Sequence, residues 1–387
     1  SSFIPNTLKR DNDLLFISSD LPLYDEIKLN LRFRQAPKYN FSKPLIRANS
    51  RKEMRLWNCD IEAQTEFERF VEEMLPLNIP SVYLEGYCSL KKQLNSLNWP
   101  RSPKLIFTSN SHIYDDLVKF YIASKVDQGS SYVIGQHGSG PHQAINFQMM
   151  EHEPDTCDRY LTTGSGNKFN PKIADVGQFF SRQWNHDIDG GGLLIQLAVP
   201  RYAFCAFSTS QASDYLKYQD EQLQFFKLLN SSVRKLFTVR LTNSPEGDYN
   251  TRQMWPVYFP DVTIDNGKES IYPLFSKSRL IICTYAGTTY NQTIAANAPT
   301  VIFWNPKDNQ LHETTNLIFE ELKRVGIFHD TPESAAAHVN AIWGAVEAWW
   351  TSAEVQEVVQ QYSKLYCNLK VNSLDRIETE MRDLISH

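Results

Sequence analysis

Short apolar runs alternate with stretches of helical spacing along nearly the whole chain. In the first half, Asp13–Ser18 (DLLFIS) is a short apolar run, and Pro80–Glu85 (PSVYLE), Lys104–Ser109 (KLIFTS) and Ser131–Gln136 (SYVIGQ) read as strands. Apolar positions three and four apart predict helices over Glu66–Leu75, Ser89–Leu97 and Asp115–Lys125. The second half restarts the pattern with Leu193–Val199 (LLIQLAV), a helix over Ser213–Leu229, and strands at Leu236–Leu241, Val262–Asp265 and Leu280–Thr284. A helix over Thr289–Asn297 and a strand over Thr300–Trp304 follow, and from Pro332 onward the chain reads as helical, with Trp343, Trp349 and Trp350 as apolar anchors. No repeat or low-complexity segment interrupts this order. Strand–helix alternation of this kind predicts parallel sheets and an α/β fold.

The restart marks a boundary. Polar residues Ser181–Asp189 run into the triple glycine Gly190–Gly192, which places a linker at about 180–191. The expected organisation is two Rossmann-like lobes, residues 1–185 and 186–345, with helices over 346–387 crossing back to the first lobe. Two such lobes make a cleft at the carboxyl ends of their strands, where ligands bind.

Composition fits that reading. A chain of 387 residues with 42% hydrophobic content suits two domains, and 12% aromatic residues exclude a disordered chain. The 39 basic and 44 acidic residues leave a net charge of −5, so no basic field exists for nucleic acid. The cysteines (Cys59, Cys88, Cys157, Cys205, Cys283, Cys367) form no CxxC pair, as suits a reducing cytoplasm. No apolar run approaches the roughly 20 residues of a membrane helix, and Ser1–Pro5 does not read as a signal peptide. The expectation is a cytoplasmic protein, with peripheral contact to the inner membrane left open.

Candidate chemistry sits at strand ends. Gly135-Gln136-His137-Gly138-Ser139-Gly140 follows a strand directly; its glycines allow close backbone approach to a ligand, and His137 can donate to an anion or carry a proton. The alternative is a glycine turn with a capping His. Glu151-His152-Glu153, with Asp155 and Asp158 close behind, offers carboxylates for glycosyl chemistry or simply a solvated acidic face. Glu151 and Asp158 share a face if the stretch is helical. A metal reading is weak, because no second ligand set accompanies these residues. Thr284-Tyr285-Ala286-Gly287-Thr288-Thr289 runs from a strand into a helix, and free N–H groups with threonine hydroxyls there suit a phosphate or a sugar carboxylate. Plain N-capping by Thr is the competing reading. Arg201 and Tyr202 after LLIQLAV, and Arg240 on LFTVRL, stand near strand ends, where Arg binds carboxylate or phosphate in bidentate fashion or makes an ordinary salt bridge. Asp248 reads equally as a cleft carboxylate or a turn residue. Cys205 reads as a buried small residue more readily than as a nucleophile. Asn305 lies on a further strand-end loop and is a candidate contact for a nucleotide base or ribose.

Taken together, Asn78–Gly86 (NIPSVYLEG), Pro103–Ser111 (PKLIFTSNS), Gly135–Gly138 (GQHG), Thr288-Thr289 and Ala295–Thr300 (AANAPT) resemble a family of bacterial surface-polysaccharide transferases, over roughly residues 5–360. That family is similar to the retaining β-Kdo glycosyltransferases, which use CMP-activated Kdo, an eight-carbon 2-keto sugar acid. The resemblance implies a GT-B fold, with the acceptor mainly on the first lobe and the CMP-sugar on the second. It also implies no metal ion, since the donor carries a single phosphate. Gln136, His137 and Glu151 carry over from the QHG-to-EHE stretch, and Thr284 to Thr289 from the donor helix. Two positions depart from the family pattern: Ser139-Gly140-Pro141-His142 replaces a glycine-tyrosine pair after QHG, and Gln292 stands where a glutamate is usual.

The expected reaction moves Kdo or a related sugar acid from the nucleotide-sugar donor to a surface glycan, lipid-linked at the membrane face in one version, as in lipopolysaccharide, O-antigen or capsule synthesis. Glu151 and Asp248 are the candidate carboxylate nucleophiles for retention. His137 is the candidate proton carrier. Gln136, Gly138, Arg201, Tyr202, Arg240, the Thr284–Thr289 stretch and Asn305 would hold the donor. A non-catalytic nucleotide- or glycan-binding protein, and a sugar-nucleotide epimerase or hydrolase, are the rivals; CMP release without acceptor, or tight CMP binding without turnover, would separate them.

Overall fold

The computed structural model describes residues 14–37, 48–57, 62–138, 143, 152–164, 170–179, 184–197, 213–243, 249–368 and 372–386. Its strands are β1 (Leu14–Phe16), β2 (Leu105–Thr108), β3 (Ser131–Gly135), β4 (Arg159–Thr162), β5 (Ile173–Asp175), β6 (Gly191–Gln196), β7 (Phe237–Leu241), β8 (Thr263–Asp265), β9 (Ser278–Cys283), β10 (Thr300–Phe303) and β11 (Phe328–His329). The chain divides into two compact units, Ser1–Gly135 with Met381–His387, and Gln136–Glu380. The expected α/β class holds: every described strand pair is parallel.

In the first unit β2 lies between β1 and β3, with Ile106 opposite both Leu15 and Tyr132. All residues of β1 and β2 are buried, as the continuous apolar runs LLF and LIFT require of a strand covered on both faces. Helix Asp116–Val126 buries Leu117, Val118, Tyr121 and Ile122. One expected strand is absent. Residues 81–86 form turns, closed by Tyr83 N–H to Pro80 O (2.9 Å) and Gly86 N–H to Ser81 O (2.7 Å). The reason is tertiary: Glu85 is drawn to Arg55, whose Nε and Nη2 donate to its two carboxylate oxygens at 2.8 and 2.9 Å. The same guanidinium donates to Pro76 O and Leu77 O, stitching this turn to the end of helix Glu66–Asn78.

In the second unit β4 pairs with β5, and six strands form a sheet in the order β11-β10-β9-β6-β7-β8. Successive residues alternate between two cores, as the two-residue period of a strand dictates. Leu193, Ile195, Ile281, Cys283 and Ile302 enter one core with Tyr290, Phe319 and Tyr362. Leu194, Val239, Ile282, Val301 and Phe303 enter the other with Phe225, Trp255 and Val339. The helical tail supplies both faces, and Trp350 anchors it by donating from Nε1 to Asn297 O (2.9 Å). The linker expected at 180–191 falls inside this unit. The end of helix Ala353–Tyr366 ties residues on both sides of that segment together: Thr163 Oγ1 donates to Tyr366 O (2.8 Å) and Gln178 N–H to Asn368 O (2.9 Å). Of the tail, only Met381–His387 belongs with the first unit, where Arg382 Nη2 donates to Arg32 O (3.0 Å) and the guanidinium covers the Phe33 ring. No helix among the described residues is long and apolar enough to cross a membrane.

Candidate functional site

The strand order points to a candidate site. From β6 the chain moves outward through β7 to β8, then returns to β9 on the other side of β6 and runs outward again through β10 to β11. The loops after β6 and β9 therefore leave the sheet in opposite directions, and the gap between them is the switch point where open parallel sheets bind ligands. Thr284 to Thr289 is the loop after β9, and Arg201 and Tyr202 lie on the segment after β6.

A hydrogen-bond chain spans the switch point. Leu197 N–H donates to Tyr218 Oη (2.9 Å), Tyr218 is bonded to Thr284 Oγ1 (2.6 Å), and Thr284 Oγ1 donates to Ile195 O (2.8 Å). Because the threonine has one proton and Ile195 receives it, Tyr218 is the donor to Thr284. Tyr215 completes the grip by donating to Leu197 O (2.8 Å). The Thr284 hydroxyl is thus committed to the fold, which departs from its expected part as a ligand donor.

Ala286 is buried, while Tyr285, Gly287, Thr288 and Thr289 are half-buried. Tyr285 lies against Gly287, so closely that a β-carbon on that glycine would stand 2.4 Å from the ring. Its hydroxyl lies 3.5 Å from Thr289 Oγ1, and burial pushes the phenol up, keeping it a neutral donor. Helix Thr288–Ala295 starts at Gly287 with no side-chain cap, so neither threonine acts as the N-cap that the competing reading supposed.

The structure brings the QHG segment to this same helix start. Gly138 has φ +67°, a left-handed conformation that favours glycine, and a β-carbon there would sit 2.6 Å from Thr288 Oγ1. Gln136 shapes the turn: its Nε2 donates to Gly138 O (2.8 Å), and its Oε1 accepts from Thr163 N–H (3.2 Å). Gln136 is buried and acts through this turn, whereas His137 is exposed beside it.

Other expected residues stand elsewhere. Arg240, expected to hold an anion, donates from Nη1 to Asp265 Oδ1 and from Nη2 to Glu269 O, both at 2.6 Å. It joins β7 to β8 as a salt-bridge residue. The Asn305 side chain closes its own turn, accepting from Lys307 N–H (3.0 Å). Helix His152–Thr156 ends before Asp158, which lies outside it. Among the described residues of that motif the buried carboxylate is Glu153, and burial, then Glu153, push the Tyr160 phenol up. Glu151, Arg201, Tyr202, Cys205 and Asp248 lie outside the described residues. Tyr249, next to Asp248, stacks on Tyr215 at 4.9 Å. Among the described residues, no group of three or more His, Cys, Asp or Glu is placed to hold a metal ion.

Three features escaped the sequence reading. Gln143 is buried at 2% exposure amid a polar network. Glu221 is half-buried, and burial raises its carboxyl to about 7, with Lys217 opposing and Asp308 and Glu333 adding to the rise. Asn309, on the loop after β10, is buried with no partner for Oδ1. Burial decides the state of each, and for Gln143 so do partners far along the chain, which local sequence does not signal.

A family model, the LIC12162 family transferase, matches residues 1–381. This chain belongs to that transferase family. No curated protein matches it. Similar solved structures include the wall teichoic acid polymerase TagF, 12% identical over 78% of this chain and 83% of that one with a TM-score of 0.41. MurG from Acinetobacter baumannii is 12% identical over 82% and 89%, with a TM-score of 0.41. WaaG, a glycosyltransferase involved in lipopolysaccharide biosynthesis, is 11% identical over 96% and 99%, with a TM-score of 0.40.

Proposed function

We propose that this transferase is a GT-B glycosyltransferase that moves a sugar acid, Kdo or a close relative, from a CMP-activated donor to a surface glycan. The observation that carries the reading is the open start of helix Thr288–Ala295 at the switch point, with the Gly138 backbone packed on Thr288. First-turn N–H groups that no side chain caps, with the positive end of the helix dipole, favour an anion. One phosphate and one sugar carboxylate are the anions a CMP-sugar acid brings.

Donor phosphate would sit on the Gly287–Thr289 backbone, with Tyr285 beside it and His137 on the QHG turn as proton carrier or phosphate donor. Arg201 and Tyr202 would reach the donor from the loop after β6. Glu151 and Asp248 remain the candidate carboxylates for a two-step retaining reaction, in which the carboxylate displaces CMP and the acceptor hydroxyl then displaces the carboxylate. The helix dipole and side chains supply the positive charge, so the donor needs no metal. The acceptor is a glycan, with a lipid-linked form at the membrane face as one version.

Calorimetry with CMP, UDP and GDP, each in EDTA and in magnesium, tests the donor. CMP binding best, and equally well in both buffers, is the expected result; loss on chelation, or preference for UDP or GDP, overturns it. Glu151→Gln and Asp248→Asn test catalysis. The true nucleophile should lose orders of magnitude in transfer rate while CMP affinity holds, because its contribution appears in the transition state. Near-normal rates in both variants would remove both residues from the role.

A further inference from the structure

Gln143 lies five residues beyond Gly138 in the chain and is buried at 2% exposure. Its side-chain amide closes a directional chain of hydrogen bonds. The Tyr290 hydroxyl donates to Gln143 Oε1, Gln143 Nε2 donates to Tyr362 Oη (2.8 Å), and the Tyr362 hydroxyl donates to Asn291 Oδ1 (2.7 Å). Tyr290, Asn291 and Tyr362 are no more than 1% exposed. The Gln143 backbone is fixed as well, its carbonyl accepting from His312 N–H (2.7 Å). Only a side chain that both accepts and donates fits between these two tyrosines, and a buried polar group left unpaired is expensive.

Tyr290 and Asn291 belong to helix Thr288–Ala295. The same helix meets Gly138 through Thr288. Gly138 and Gln143 therefore stand against residues one turn or less apart on a single helix, Thr288 for the first and Tyr290 and Asn291 for the second. On the far side, Gln136 holds the turn to Thr163, which is bonded in turn to Tyr366 O. Helix Ala353–Tyr366 thus reaches Gln143 through Tyr362 and, by way of Thr163, Gln136 through Tyr366.

We propose that Gln143 is a positioning residue: its buried amide, bonded to Tyr290 and Tyr362, sets where His137 stands relative to the start of helix Thr288–Ala295. Its value for the reaction rests on the donor reading above, whereas its effect on His137 does not. The amide's partners are Tyr290 and Tyr362, so its influence passes through the placement of the QHG turn against the helix.

The test uses the full chain as wild type, Gln143→Leu and Tyr362→Phe. Tyr362→Phe removes one hydroxyl and keeps the packing, and so guards against a Gln143 variant that fails to fold. Each protein is treated with diethyl pyrocarbonate without nucleotide, and carbethoxylation of His137 is followed by mass spectrometry against His152 and His186. Circular dichroism and melting temperature report the fold, and CMP affinity is measured by calorimetry. A change of at least about threefold in the relative rate at His137 in folded variants is the expected result, with CMP affinity falling about tenfold, or 1.4 kcal/mol. An unchanged His137 rate in folded Tyr362→Phe overturns the proposal, whatever CMP does. If His137 responds while the wild type does not bind CMP, the donor reading fails and the positioning role stands.

Discussion

Two helices that follow parallel strands begin in opposite ways. After β2, helix Asp116–Val126 starts at Asp115, whose Oδ1 accepts from Leu117 N–H (3.0 Å) and Val118 N–H (3.2 Å). After β9, helix Thr288–Ala295 starts at Gly287 and has no side-chain cap. The first helix satisfies its orphan donors from within and gains stability. The second leaves them without a side-chain cap. The residue at the cap decides which: a carboxylate closes the helix start, and a glycine with the Gly138 turn beside it keeps the start open but narrow. The same backbone physics serves the fold in one unit and, in our reading, the ligand in the other.

The largest expected effect comes from closing the open start sterically. Gly138→Val forces a β-branched residue into a left-handed conformation and drives its Cβ onto Thr288 Oγ1. CMP affinity should fall about a hundredfold or more, roughly 2.7 kcal/mol. Wild-type affinity in calorimetry would show that the QHG turn does not border the ligand.

Closing the start electrostatically comes next. Thr289→Glu places a carboxylate in the first turn, where it favours the helix and competes with phosphate. CMP affinity should drop about tenfold, or 1.4 kcal/mol, while the melting temperature holds or rises. A fall in both would assign Thr289 to the fold instead.

Opening the closed start should do the reverse. Asp115→Ala should cost about 1 kcal/mol of stability and leave CMP binding unchanged. Urea denaturation and calorimetry on the same variant read the two quantities, and a loss of CMP affinity would break the contrast between the helices.

The smallest effect is a pH slope at a third helix start. Glu68 closes a capping box on helix Glu66–Asn78, and its pKa is lowered chiefly by the Gln64 and Thr65 N–H groups. A carboxyl lowered in the fold contributes stability that is present above its ordinary value of 4.5 and is lost as pH falls through the lowered one. Between pH 6 and 3 the urea midpoint should therefore fall less steeply in Glu68→Gln than in the wild type. Equal slopes would mean the box does not form in solution.

How much was legible followed from how local each signal was. Strands β2, β3, β7, β9 and β10 fall where apolar runs sat between turn residues, because a buried parallel strand must be apolar throughout. The run PSVYLE has the same composition but forms turns, since Arg55, some 30 residues away in sequence, claims Glu85. Strands β4 and β5 went unread: RYLT and IAD are short and carry too few apolar residues to stand out. In the site, the glycine-threonine start of helix Thr288–Ala295 was visible because glycine and threonine have local backbone meanings. Arg240 looked the same as a ligand-binding arginine would, and only the position of Asp265 on β8 distinguishes them.

By itself, then, the sequence determined the α/β class, the parallel sheets, and the two segments, Gln136–Gly138 and Thr284–Thr289, that carry the candidate chemistry. These are properties of short stretches, written in apolar periodicity and in residues with special backbone preferences. Tertiary structure alone decided that the two segments meet at Gly138 and Thr288, that Thr284 and Arg240 serve the fold, and that Gln143 lies buried between Tyr290 and Tyr362. Each of these depends on partners from about 25 to more than 200 residues apart in the chain, and such pairings are set by strand order and packing, which no local window of sequence contains.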